Sequence, residues 1–157
     1  MKRIALAAYG CLGLLLAGGC TTDEYARMLI KQDTTYGKMN QGVLGSSEHL
    51  VEKERISAAR RYTMPDGVEI DVWILKSAAE GEPRGTVLIL HGLADSKVTY
   101  LSLAKRLSAA GFDVVLPDLR AHGRSTGEYV TYGAKEKRDA KHVMDKLWEE
   151  KVVGAEE

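Results

Sequence analysis

Two short stretches hold residues whose types and spacing could do chemistry. The first is His91-Gly92-Leu93-Ala94-Asp95-Ser96, which follows four apolar β-formers, Val87, Leu88, Ile89 and Leu90. Such a run describes a strand covered on both faces, since neither side of it meets water. A glycine just past the strand lets the backbone turn sharply, so the next amides sit at the strand's carboxyl end, where open α/β sheets place their ligands. The Leu93 N–H is the foremost of these. The second stretch, Gly123-Arg124-Ser125-Thr126-Gly127, spells G-x-S-x-G, the form of a nucleophile elbow. An elbow needs a buried strand running straight into a strained turn and out into a helix, so that the serine hydroxyl projects with a helix amino terminus behind it. Neither flank provides this: Asp118 to His122 is too polar for a buried strand, and Glu128 to Gly133 does not open a helix. Ser125 therefore reads as a loop residue.

H-G-L-A-D-S followed by a helix, and then a second apolar strand ending in P-D-L-R-A-H-G-R-S-T-G, resembles the amino-terminal half of an α/β-hydrolase. The similarity is to the branch of monoacylglycerol lipases and serine aminopeptidases, and it covers about Arg55 to the end. It implies that Leu93 N–H supplies half of an oxyanion hole, supported by His91 and Gly92. It also implies that Asp118, Arg120, His122 and Ser125 brace a loop beside the active site. Ala121 stands where that loop usually has glycine. The substrate would be an ester or amide, with no cofactor and no metal. The resemblance puts the nucleophile, acid and histidine of the triad beyond residue 157, so this chain holds no nucleophile or base and is not expected to turn over esters alone. His91 is then a support, not a general base. The implied strand order sets Val87 to Leu90 between the Phe112 strand and the elbow strand, which would leave a bare edge open to pairing with another chain. A non-catalytic lipoprotein that binds a partner through that edge is the alternative reading. A nucleotide-binding module is disfavoured, because no Gly-rich phosphate loop with a lysine follows Leu90.

The elements that must position these residues follow from periodicity. Arg55 to Thr63 and Val68 to Leu75 form a hairpin around the turn Met64-Pro65-Asp66-Gly67, where Pro fixes one dihedral and Gly supplies positive φ. Val68, Ile70, Val72 and Ile74 alternate with Glu69, Asp71, Trp73 and Leu75, so the hairpin is expected at the sheet's margin with one face wet. Ser77 to Arg84 is loop. Ser96 is placed to cap a helix with the apolar face Tyr100, Leu103, Ala104, Leu107 and Ala110, stopped by Gly111. Phe112 to Leu116 is the next strand, and strand, helix, strand at this spacing is a right-handed parallel crossover. A Gly-rich loop, Pro117 to Gly133, precedes a helix from Ala134 to about Glu150 with the stripe Ala140, Val143, Met144, Leu147 and Trp148. The expected class is α/β, an incomplete hydrolase sheet of hairpin followed by β-α-β-α.

Of the 157 residues, 22 are basic and 22 acidic, so no overall field points to nucleic acid. Residues 1–19 read as a bacterial lipoprotein signal: Lys2 and Arg3 open it, an uncharged Ile4 to Ala17 run follows, and Gly18-Gly19-Cys20 closes it. Cleavage would leave Cys20 lipidated. It would take Lys2 and Arg3 from the 22 basic residues and no acid, leaving 20 basic, 22 acidic and a formal charge of −2. Cys11 lies in the signal and Cys20 would carry lipid, so no disulfide is expected. Each buried CH₂ of an acyl chain adds about 0.8 kcal/mol of membrane affinity, which makes the bilayer the expected partner through Cys20. Residues 20–54 read as a polar tether that includes His49, and residues 55–157 as the hydrolase part. The expected location is the cell envelope, and with Thr21 and not Asp after the cysteine, the resemblance to lipoproteins of two-membrane bacteria implies the outer membrane. His122 and His142 have no Cys or carboxylate at metal-ligand spacing.

Overall fold

In the computed structural model the described residues are 56–154, together with Lys31 and Val51. The signal, Cys20, His49, nearly all of the tether and residues 155–157 lie outside them. The chain divides into two compact units, Met1–Lys31 and Gln32–Glu157, and every element below belongs to the second.

Strands β1 (Ala58–Thr63) and β2 (Glu69–Leu75) form the expected antiparallel hairpin. Its turn closes by Gly67 N–H to Met64 O (2.9 Å) and Met64 N–H to Val68 O (2.7 Å), and Gly67 sits at φ 80 where a side chain would be strained. Strand β3 (Thr86–Leu88), helix α1 (Leu101–Ala109) and strand β4 (Asp113–Pro117) follow, then helix α2 (Glu136–Glu149). The sheet runs β1-β2-β4-β3, with β3 and β4 parallel and the other pairs antiparallel.

The hairpin lies at the sheet's margin as expected, with β1 at the edge, but β2 has no wet face. β2 pairs with β1 on one side and β4 on the other, and Ile70 to Leu75 are all buried. Both of its residue sets are covered. Ile70, Val72 and Ile74 pack with Val115 against Val143, Met144 and Leu147 of α2, whereas Trp73 and Leu75 pack with Val114 and Leu116 against Leu101 and Ala104 of α1. Alternation between aliphatic residues and Trp, Leu and Asp is therefore alternation between two cores, not between core and water. Each fully buried aliphatic side chain here contributes about 1.5–3 kcal/mol.

The strand expected to be covered on both faces is only half-buried, and it lies at the expected edge. β3 has only β4 beside it among the described residues, and its three residues are half-buried. Ladder pairing ends after Ile89 N–H to Val115 O (2.9 Å), and Leu90 is 45% exposed. The open edge is the one the hydrolase strand order implies.

Helix α1 stops as expected. Gly111 at φ 94 closes a Schellman motif, with Phe112 N–H to Leu107 O (3.1 Å) and Gly111 N–H to Ser108 O (3.0 Å). Its start and phase differ from expectation. Residues Lys97–Tyr100 form a 3₁₀ turn ahead of it, and Ser96 Oγ makes no capping bond. Asp95 Oδ1 instead ties the turn down, accepting from Ser96 N–H (2.7 Å) and Thr99 Oγ1–H (2.5 Å). The tighter turn rotates the helix so that Leu101 faces the core, while Leu103 and Ala110 point to solvent.

Candidate functional site

At the carboxyl ends of the parallel strands two loops meet, residues 91–97 after β3 and residues 118–127 after β4. Their contact is reciprocal. His91 Nε2 accepts the Leu119 N–H (2.9 Å), and His122 Nε2 accepts the Ala94 N–H (3.3 Å). Each imidazole thus reaches from its own loop to a backbone amide of the other. Since both Nε2 atoms accept, the ring protons sit on Nδ1, where His91 donates to Gly92 O and His122 to Arg120 O (2.8 Å each). Both rings are 5% exposed and meet edge to face at 5.0 Å. Burial lowers the His91 pKa from its ordinary value, against the Gly92 bond and the nearby Asp118 and Asp95.

This arrangement fixes the amide that follows Gly92. Gly92 O and Leu93 N–H belong to one planar trans peptide and point in opposite directions. With Gly92 O held against His91 Nδ1–H, Leu93 N–H is turned the other way. Among the described residues it meets no acceptor, and Leu93 is 53% exposed. The next peptide is pinned by His122, and Ala94 sits at φ 58, a left-handed conformation uncommon for alanine. Leu93 N–H is therefore an orphan donor in a held loop at the strand's carboxyl end.

A buried ionic cluster anchors the same loop. Lys97, 1% exposed, places Nζ 2.5 Å from Asp71 Oδ1 and 2.5 Å from Asp118 Oδ2, above the face of Trp73 at 4.8 Å. Asp118, with no exposure, also accepts the Lys97 N–H (2.9 Å) and the Arg124 N–H (2.9 Å). Gly123 passes so close that a Cβ there would lie 2.3 Å from the Asp118 carboxyl carbon. Sequence reasoning missed Lys97 and treated Asp71 as a routine strand residue. A lysine at the end of a strand-end loop and an aspartate within an apolar strand are each unremarkable until the fold joins them.

The remaining sequence candidates fall in the second loop. Ser125 Oγ donates to Asp118 O (2.6 Å) and accepts the Asp71 N–H (2.9 Å), which stitches the loop along β2. The residues around it form neither a strand nor a helix, and both imidazole nitrogens of neighbouring His122 are already engaged. Ala121 takes φ 60, the conformation glycine would favour, with its N–H on Thr126 O (3.0 Å). Arg120 forms a bidentate pair with Asp139 of α2 (2.7 Å twice) and reaches Asp66 in the hairpin turn (3.0 Å). Arg120 and Lys135 together hold the Asp66 carboxyl at about 2. A recess of about 560 Å³ beside this pair includes no residue of the 91–97 loop, and its main charges already pair with one another. Among the described residues no group of three His, Cys, Asp or Glu side chains could hold a metal ion.

A mixed sheet with a helix on each face matches an incomplete α/β-hydrolase fold. More particularly, residues 81–151 match the family described as serine aminopeptidase, S33. A monoacylglycerol lipase of Mycolicibacterium smegmatis is 42% identical over 66 residues, 41% of this chain and 22% of that one. A probable alcohol acetyltransferase of Saccharomyces cerevisiae is 38% identical over 73 residues, 46% of this chain and 21% of that one. An esterase of Pyrococcus furiosus superimposes with a TM-score of 0.52 at 28% identity, over 62% of this chain and 38% of that structure. The matches thus span about a fifth of the curated relatives' length.

Proposed function

We propose that the chain is the amino-terminal part of an envelope-anchored serine hydrolase, acting on an ester or amide, and that it contributes half of the oxyanion hole. The observation that carries this is the Leu93 N–H, turned outward and unmatched at the end of β3. A preorganised amide of this kind stabilises the negative oxygen that develops when a carbonyl is attacked. The lipase, esterase and acetyltransferase names of the similar proteins share chemistry at an acyl carbonyl, which favours an ester. The serine, acid and histidine would come from sequence beyond these residues. The attachment would be lipid on Cys20.

The test uses nitrophenyl esters. The purified chain is expected to show no turnover sensitive to a serine-directed fluorophosphonate. In a complete hydrolase carrying this segment, Leu93→Pro removes the donor and is expected to lower kcat by about 10²–10³-fold, whereas Leu93→Ala keeps the amide and most activity. Equal effects of the two changes, or fluorophosphonate-sensitive turnover by the chain itself, refute the assignment. The open edge of β3, with Leu90 beside it, favours one further reading, a partner strand adding to the sheet.

A further inference from the structure

We propose that His91 and His122 are positioning residues for the Leu93 amide, one for each peptide flanking it, and that together they form a clasp that opens in acid. The positioning half rests on the oxyanion reading; the clasp stands without it.

The geometry makes both rings necessary in one protonation state. His91 must carry its proton on Nδ1 to hold Gly92 O, and the Leu119 N–H on Nε2 enforces that tautomer. His122 must offer a bare Nε2 to Ala94 N–H, and its Nδ1–H on Arg120 O enforces that in turn. A second proton on either ring can go only to Nε2. There it would face a backbone N–H, donor against donor, inside a site with 5% exposure. The bond to the opposite loop must then break, and Ala94 loses the contact that keeps it at φ 58.

The charged surroundings do not remove this sensitivity. Asp95 lies on the same loop and Asp118 at the end of β4, and both favour a charged imidazole. Asp118 is already engaged by Lys97 from the 3₁₀ turn, which is shared with Asp71 of β2, and by the Arg124 amide. The His122 ring, 5.0 Å away, also opposes charge on His91. For His91 the folded state favours the neutral ring, so the clasp is complete above the free histidine range, about 6.5, and is lost as pH falls below it.

Amide hydrogen exchange of the full chain, read by NMR from pH 7.5 to 5 and corrected for intrinsic rates, tests the clasp directly. Protection of Ala94 and Leu119 is expected to fall together, by about tenfold per pH unit once His91 titrates, while Ile89 and Asp113 in the sheet hold theirs. His91→Gln, whose amide oxygen can accept the Leu119 N–H without titrating, is expected to remove the acid loss at Leu119 and Ala94 alike. The wild-type titration decides the matter even if that variant does not fold. Protection of Ala94 and Leu119 persisting at pH 5, or falling in parallel with Ile89 and Asp113, overturns the clasp. In a complete hydrolase, His91→Gln is expected to move the acid limb of kcat with KM unchanged. An unmoved limb beside the expected exchange pattern refutes the oxyanion role and leaves the clasp standing.

Discussion

Lys97→Met is the sharpest perturbation of the structure. Methionine keeps most of the aliphatic stem packed over Trp73 and removes only the charge, so the change isolates the ion cluster. What remains is Asp118, fully buried, and Asp71, 6% exposed, with no cation between them. Asp71 keeps a longer contact to Arg61 (3.3 Å), and Asp118 keeps two backbone amides. Deleting one member of a buried pair costs about 3–5 kcal/mol, because a charge is left uncompensated in a medium that solvates it poorly. With a urea m-value of about 2 kcal/mol/M, a loss of 4 kcal/mol lowers the unfolding midpoint by about 2 M. Tryptophan fluorescence reads the transition, since Trp73 lies in the same cluster. Exposed Lys137→Met serves as the control and is expected to change stability by no more than about 0.5 kcal/mol. A double-mutant cycle with Asp118→Asn should return a coupling of about 1–3 kcal/mol, because Asn is tolerated better once the lysine is gone. A Lys97→Met midpoint within about 0.5 M of the parent would mean that the cluster's attraction only offsets its desolvation, and the reasoning would fail.

Two further outcomes follow from neighbouring contacts. Gly123→Ala combines a left-handed φ of 52 with a Cβ 2.3 Å from the Asp118 carboxyl carbon, whereas Gly81→Ala has a φ of 89 and open space around it. Gly81→Ala should cost about 1 kcal/mol from backbone strain and Gly123→Ala at least about 3, because Asp118 must leave Lys97; equal urea midpoints would show that the contact is unimportant. Arg120→Lys replaces a two-pronged bond to buried Asp139 by a single ammonium and should cost about 2 kcal/mol. The same change should let the Asp66 carboxyl rise from about 2 toward its ordinary value in an NMR titration, and a static Asp66 would refute the link.

What the sequence determined by itself was local and periodic. Met64-Pro65-Asp66-Gly67 specifies its turn because Pro fixes one dihedral and Gly admits a positive φ in any context. Gly111 ends its helix for the same reason, and the Val143, Met144, Leu147 stripe faces the sheet because a helix repeats every 3.6 residues. The two motif stretches also lie, as the resemblance implies, at the ends of β3 and β4. Tertiary structure alone decided what covers what. Whether an alternating strand has one wet face or two dry ones depends on what packs above and below the sheet, and helices on both sides left β2 with no wet face. The phase of α1 depended on the 3₁₀ turn ahead of it, and Leu103 accordingly faces water where Leu101 does not. The Lys97 cluster and the crossed histidines were hidden for one physical reason. Their partners lie 21 to 28 residues apart along the chain, and a hydrogen bond or ion pair leaves no periodic trace until the fold brings its two ends together.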